Sequence, residues 1–116
     1  MTRARQRLGA SGEDQAASWY ISQGYQVVDR NWRCREGEID LVCTRGRTVV
    51  FCEVKTRTSS AFGHPAEAVT ATKQRRLRVL ATRWLQATDA PVRGRDIRFA
   101  VAAILGGELD VIEAAF

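Results

Sequence analysis

Asp40, Glu53 and Lys55 are residues whose types and spacing could do chemistry. Twelve residues separate the aspartate from the glutamate, and the lysine follows two positions later, inside the run VVFCEVKTR (Val49 to Arg57) that otherwise reads as a buried strand. Two carboxylates held close repel each other, and the arrangement persists either by shifting a pKa or by taking a cation between them. A hard divalent ion suits the second course. Mg²⁺, or Mn²⁺ in its place, uses one or two protein carboxylates, completes its shell with water and substrate phosphate, and asks for no sulfur. An ammonium two residues beyond the glutamate could then stabilise charge developing on a phosphoryl group or orient an attacking water.

The use of lysine points the same way. Of the eighteen Lys and Arg residues only Lys55 and Lys73 are lysines. Arg stays protonated and planar, whereas Lys is a compact charge whose pKa can move, so positions that reject Arg in an Arg-rich chain are candidates for chemistry.

These side chains need elements to hold them. The pattern predicts a first helix from about Ser11 to Gln23, stopped by Gly24, with Gly12, Glu13, Ala16, Ala17 and Tyr20 along its packing side. Three strands follow, Tyr25 to Arg33, Glu38 to Cys43 and Thr48 to Thr56, the last two joined by the turn-like TRGR at Thr44 to Arg47. A second helix from roughly Thr72 to Gln86 carries Leu77, Leu80, Ala81, Trp84 and Leu85 at helical spacing, and the same stripe extended backward reaches Lys73 and Gln74. Strands Ile97 to Ile104 and Leu109 to Glu113 close the chain as a hairpin about Gly106-Gly107. The loops are Thr58 to Pro65 and Thr88 to Arg95, and the order is αβββαββ, an α/β class.

With Cys43 opposite Thr48, alternation puts Glu38, Asp40 and Val42 on one face with Val49, Phe51, Glu53 and Lys55. Ile39, Leu41 and Cys43 fall on the other with Val50, Cys52 and Val54. Asp40 and Glu53 become diagonal neighbours about 7 to 8 Å apart at the backbone, within reach of one shared point. The apolar face holds the strand, and the mixed face carries the charges. Glu13, Lys73 and Gln74 lie on the packing sides of their helices, so a cleft bounded by Glu13, Asp40, Glu53, Lys55 and Gln74 is expected.

The composition sets outer bounds. The 116 residues, 45% hydrophobic and 27% charged, fit one domain, 1–116, whose first ten residues are polar and basic and expected to fray. No run of eighteen apolar residues and no signal-peptide block follows Met1, so a cytoplasmic protein without membrane attachment is expected. Cys34, Cys43 and Cys52, with eight residues between neighbours, match neither a zinc pattern nor a disulfide framework, and Cys43 and Cys52 read as small core residues. A net charge of +5 and a pI near 9.7 favour a polyanionic partner. Lys73, Arg75, Arg76, Arg57 and Arg33 are candidate phosphate contacts, with a solvated surface as the plain alternative. Trp32, among Arg30, Arg33 and Arg35, reads first as a core residue and second as a base-stacking one. His64 precedes Pro65 in a loop and is assigned nothing, while Glu38 and Glu67 are held in reserve near the carboxylates.

The Asp, twelve residues, Glu-x-Lys pattern resembles the core of the restriction-endonuclease-like, or PD-(D/E)xK, nucleases. Over nearly the whole chain, through GASGEDQAASWY, NWRCREGEIDLV, VVFCEVKTR, FGHPAEAVTATKQRRL and the final RFAV, the sequence resembles the YraN family of uncharacterised bacterial proteins, itself similar to archaeal Holliday junction resolvases. The resemblance implies a central mixed five-stranded sheet flanked by helices. It makes Glu13, Asp40 and Glu53 metal ligands, Lys55 the catalytic lysine and Gln74 the helix residue completing the site. Two positions depart from the pattern: Ile39 replaces the proline before the aspartate, and Ala100 stands where the family usually has Asp after Arg-Phe.

Three functions follow as expectations. The first is a metal-dependent endonuclease acting on nucleic acid, DNA in branched or structured form by resemblance, with a homodimer allowed. The second is a nucleic-acid-binding module with a vestigial site. The third, a protein-interaction domain, explains the charge but not the convergence, and a pure binder has little use for carboxylates facing phosphate.

Overall fold

The computed structural model describes residues 3–58, 70–88 and 95–113, with side chains from Gly12 onward. Its elements are α1 (Arg3–Ser22), β1 (Gln26–Cys34), β2 (Gly37–Arg45), β3 (Thr48–Arg57), α2 (Ala71–Ala87), β4 (Asp96–Leu105) and β5 (Glu108–Ile112). The expected order αβββαββ holds. His64 and Glu67 lie outside the described residues.

The strands form one sheet in the order β1-β2-β3-β4-β5. The β3/β4 pair is parallel and the other three pairs are antiparallel. A parallel pair cannot be closed by a hairpin, so the chain between β3 and β4 crosses over by way of α2. The last hairpin turns through Gly106 and Gly107, both at positive φ, as a two-residue turn between paired Leu105 and Glu108 requires.

The two helices cover opposite faces. Ala16, Ala17 and Tyr20 of α1 pack with Leu41, Cys43, Val50, Cys52, Ala100 and Ala102. Leu77, Leu80, Ala81 and Trp84 of α2 pack with Ile39, Val42, Val49 and Phe51. Cys43 and Cys52 are fully buried core residues, as their apolar surroundings suggested.

Each helix end has a chemical cause. At the end of α1, Gly24 sits at φ +85 while its amide returns to the Ile21 carbonyl and the Tyr25 amide to the Tyr20 carbonyl. That is a Schellman closure, with the Tyr20 and Tyr25 rings in edge contact at 5.3 Å supplying its apolar lock. At the start of α2, the Thr70 hydroxyl accepts the Lys73 amide.

Three details differ from the sequence reading. Helix α1 begins at Arg3 rather than near Ser11, because Arg, Ala, Gln and Leu in that stretch favour helix despite their polarity. Thr44 and Arg45 extend β2, so Arg45 rather than Cys43 faces Thr48. The register therefore moves by two residues, which preserves the alternation. Ile39 lies in the α2-side core, not with Leu41 and Cys43 on the α1 side.

Candidate active site

The displacement of Ile39 marks where the site lies. The β2/β3 pairing runs from Arg45 and Thr48 to Leu41 and Cys52. Asp40 and Glu53 follow one step beyond that last pair, where the ladder stops. There Asp40 inserts its own carboxylate, and Oδ2 accepts the Val54 amide at 2.7 Å. On the other edge of β2, Asn31 lies between the paired residues Arg30 and Trp32 and adopts φ +51. Asn tolerates this left-handed conformation better than most residues. Leu41 and Ile39, flanking Asp40, turn to opposite faces. Asp40 thus sits in the seam of the sheet, open to influence from both layers.

Glu13 reaches the seam from the α1 layer. Gly12 makes the approach possible, since a Cβ there would lie 2.5 Å from Thr56 Oγ1 on β3. The Glu13 side chain is only 15% exposed. Its Oε2 accepts from Asn31 Nδ2 at 2.9 Å and from Arg30 Nη2 at 3.3 Å, and Arg30 also pairs with Asp14 at 2.7 Å. Arg30 therefore anchors two carboxylates of α1.

Glu53 and Lys55 work on the α2 side. Lys55 Nζ pairs with Glu53 Oε1 at 2.9 Å, with side chains 22% and 17% exposed. The pair borders a hollow of about 300 Å³, bounded also by Glu38, Lys73 and Arg76 above the apolar Leu77 and Leu80. Burial works to lower the Lys55 pKa, but the hydrogen bond and charge of Glu53 outweigh it and hold the ammonium above its ordinary value. The neighbouring Lys55 charge, together with burial, pushes Lys73 the other way.

Asp40 registers all the surrounding acids. Burial is the main cause that raises it to about 7, opposed by the Val54 amide and reinforced by Glu53, Glu13 and Glu38. Carboxylates from α1, β2 and β3 thus act on one point. They do so from opposite faces of the sheet, meeting in the seam, which corrects the expectation that all share one side.

The remaining candidates divide by position. Gln74 is half-buried on α2 next to Lys73, outside the lining of the hollow. Arg33 pairs with Glu38 at 3.5 Å, at the rim. Arg57 donates to the Thr56 carbonyl and Arg75 to the Thr72 hydroxyl, and neither lines the hollow. Trp32 packs, partly buried, against the α2-side core, in keeping with its first reading. Glu38 turns out to belong to the hollow, and Asn31 was missed because nothing local in NWRCRE marks a positive φ. A roomier hollow of about 480 Å³ lies at the other end of α2. Among the described residues its lining has one carboxylate, Asp29, which accepts from Trp84 Nε1 at 3.0 Å.

The donor set suits a hard ion, being carboxylate oxygen throughout. Among the described residues no three acidic, His or Cys side chains are gathered closely enough to form a ready-made cage. Asp40 and Glu53 could supply the one or two carboxylates that Mg²⁺ takes from a protein.

A family model described as "Uncharacterised protein family UPF0102" matches residues 12–104. A UPF0102 protein of Beutenbergia cavernae is 54% identical over 103 residues, covering 89% of this chain and 86% of the relative. One of Clavibacter michiganensis subsp. michiganensis is 51% identical over 120 residues, covering 99% of each. One of Rhodococcus jostii is 51% identical over 100 residues, covering 86% of this chain and 83% of the relative. Among the described residues, no helix is long and apolar enough to cross a membrane.

Proposed function

The chain belongs to the uncharacterised protein family UPF0102, the family also called YraN, and we propose that its cleft hydrolyses phosphodiester bonds in nucleic acid with the help of a divalent metal ion. One observation carries the reading. Asp40, seated in the seam of the sheet, feels Glu53, Glu13 and Glu38 together, while Lys55 is held at 2.9 Å on Glu53. Acids crowded at one point beside an ordered ammonium raise the local energy of the apo protein, and a cation and a phosphate relieve it.

Asp40 and Glu53 are the residues that would hold the ion, with Glu13 as the third carboxylate. When bound, the ion supplies a nucleophile at neutral pH and neutralises phosphoryl charge. Lys55 faces the substrate phosphate and stabilises the negative charge that grows on its oxygens as the bond to water forms. Asn31 and Arg30 fix Glu13, and the Val54 amide fixes Asp40, so the carboxylates need little reorganisation. Gln74, beside Lys73 on α2, completes the site on the resemblance to PD-(D/E)xK nucleases. Basic side chains at the rim steer the polyanion, and DNA of branched or structured form is the favoured substrate on the resemblance to junction resolvases.

The alternative is a nucleic-acid-binding module with a vestigial site. It draws on the closed Glu53–Lys55 pair and on the lack, among the described residues, of a preassembled three-ligand cage. A cleavage screen over single strands, duplexes, flaps and four-way junctions with Mg²⁺ and Mn²⁺ separates the two. Cleavage by the wild type is expected, abolished in Asp40→Asn with DNA binding retained, and reduced about 10²-fold or more in Lys55→Ala with a smaller loss of binding. Binding without cleavage of any substrate leaves the module as the better reading.

A further inference from the structure

The chain's two lysines are far apart in sequence and meet in space. Lys55 stands on Glu53 at 2.9 Å. Lys73 comes from the first turn of α2, and both lysines border the same hollow of about 300 Å³ together with Arg76. Two ammonium groups bordering one hollow, only one of them engaged by Glu53 there, suit an anion with several acceptor oxygens on one centre. Phosphate is that anion, and two compact charges on flexible stems can grip adjacent oxygens of one group where two planar guanidinium heads would crowd.

We infer that Lys55 and Lys73 form a two-lysine clamp on a single phosphate group, with Lys73 as a second cation touching the phosphate on which the site acts. That this phosphate is the scissile one rests on the nuclease reading above; the clamp itself does not. In hydrolysis the water oxygen gives up a proton to solvent as it bonds to phosphorus, the bond to the leaving oxygen breaks, and that oxygen departs with the electron pair and takes up a proton from solvent. Through this step Lys73 shares with Lys55 the charge gathering on the non-bridging oxygens, so its contribution falls on kcat as well as on binding.

Protein labelled with ¹³C at the lysine ε carbon gives signals from two side chains only, and Lys73→Arg identifies which is which. Titration of metal-free wild type with thymidine 5′-monophosphate at low salt should move both signals with one half-saturation concentration. Movement of one signal alone, or of neither, overturns the clamp. In an active wild type, Lys73→Met should lower kcat about 10-fold or more, and Lys73→Arg should recover only part of the loss. An unchanged kcat would remove Lys73 from the reacting phosphate. A wild type that binds thymidine 5′-monophosphate through both lysines yet cuts nothing supports the clamp while overturning the nuclease reading.

Discussion

Asp40 shows how a single residue can carry the cost of a site. Its carboxyl is raised from the ordinary 3.8 to about 7, by burial first and then by Glu53, Glu13 and Glu38 against the Val54 amide. A folded value above the unfolded one means that the contribution of this group to stability is full below about 3.8 and is lost as pH rises through about 7. At pH 8 the metal-free protein therefore bears an ionised, repelled aspartate. Asp40→Asn keeps the volume and an acceptor for the Val54 amide but removes the charge. In chelator the variant should melt several degrees above wild type at pH 8, with the gap shrinking as pH falls toward 4. Mg²⁺ at pH 8 should raise the wild-type melting temperature and leave the variant nearly unchanged. Thermal unfolding across pH, with and without the ion, tests this, and a gap that ignores pH would show that repulsion at Asp40 is not what costs stability. The facing of Glu53 and Lys55 with Phe51 could be read from alternation along β3, because an error of two in register leaves the faces unchanged. The Val54 contact could not, since a side chain replacing a ladder bond leaves no mark on sequence periodicity.

At the scale of elements, the critical contact is between α1 and β3. Gly12 lies against Thr56, and Gln15 Nε2 donates to the Gly107 carbonyl at 2.9 Å in the last hairpin turn, so α1 is tied to the sheet at both residues. A methyl at position 12 would meet Thr56 Oγ1 at 2.5 Å and force the helix or the threonine to move. Alanine is ordinarily the better helix former by about 1 kcal/mol. Here Gly12→Ala should instead destabilise by about 1 to 3 kcal/mol in chemical denaturation, the usual cost of overpacking. Thr56→Ala in the same chain removes the obstructing hydroxyl and should restore most of the loss. Additive destabilisation in the double variant would mean that Gly12 serves something other than this approach. The elements themselves were legible because Leu77, Leu80, Ala81 and Trp84 recur at helical spacing and Gly24, Gly46, Gly106 and Gly107 mark the turns. What escaped was the local break at Asn31 and Asp40 and the return of Ile39 to the α2 side, because strict alternation has no term for a residue at positive φ.

In the molecule as a whole, two opposed layers contribute to one seam, and charge is spread unevenly about it. Pattern alone assigned Glu13 and Lys73 to packing faces, but not to opposite faces, because a single strand order fits helices on either side of a sheet. The net charge of +5 should draw nucleic acid, and the position of each cation decides whether it takes part. Lys73 and Arg76 border the hollow, whereas Arg98, at the start of β4, is spent on Asp96 at 2.8 Å. DNA affinity in chelator should therefore fall linearly on a log–log plot against salt, as phosphate contacts release counterions, at about 0.9 per contacted phosphate for duplex and 0.7 for single strands. Lys73→Gln and Arg76→Gln should each flatten that slope by close to one contact and weaken binding about equally across sequences. Arg98→Gln should do neither, although it removes the same formal charge. Filter binding or fluorescence anisotropy at several salt concentrations distinguishes these outcomes. If all three substitutions changed the slope alike, net charge rather than the architecture of the cleft would govern binding, and the hollow beside Lys55 would lose its claim to the phosphate backbone.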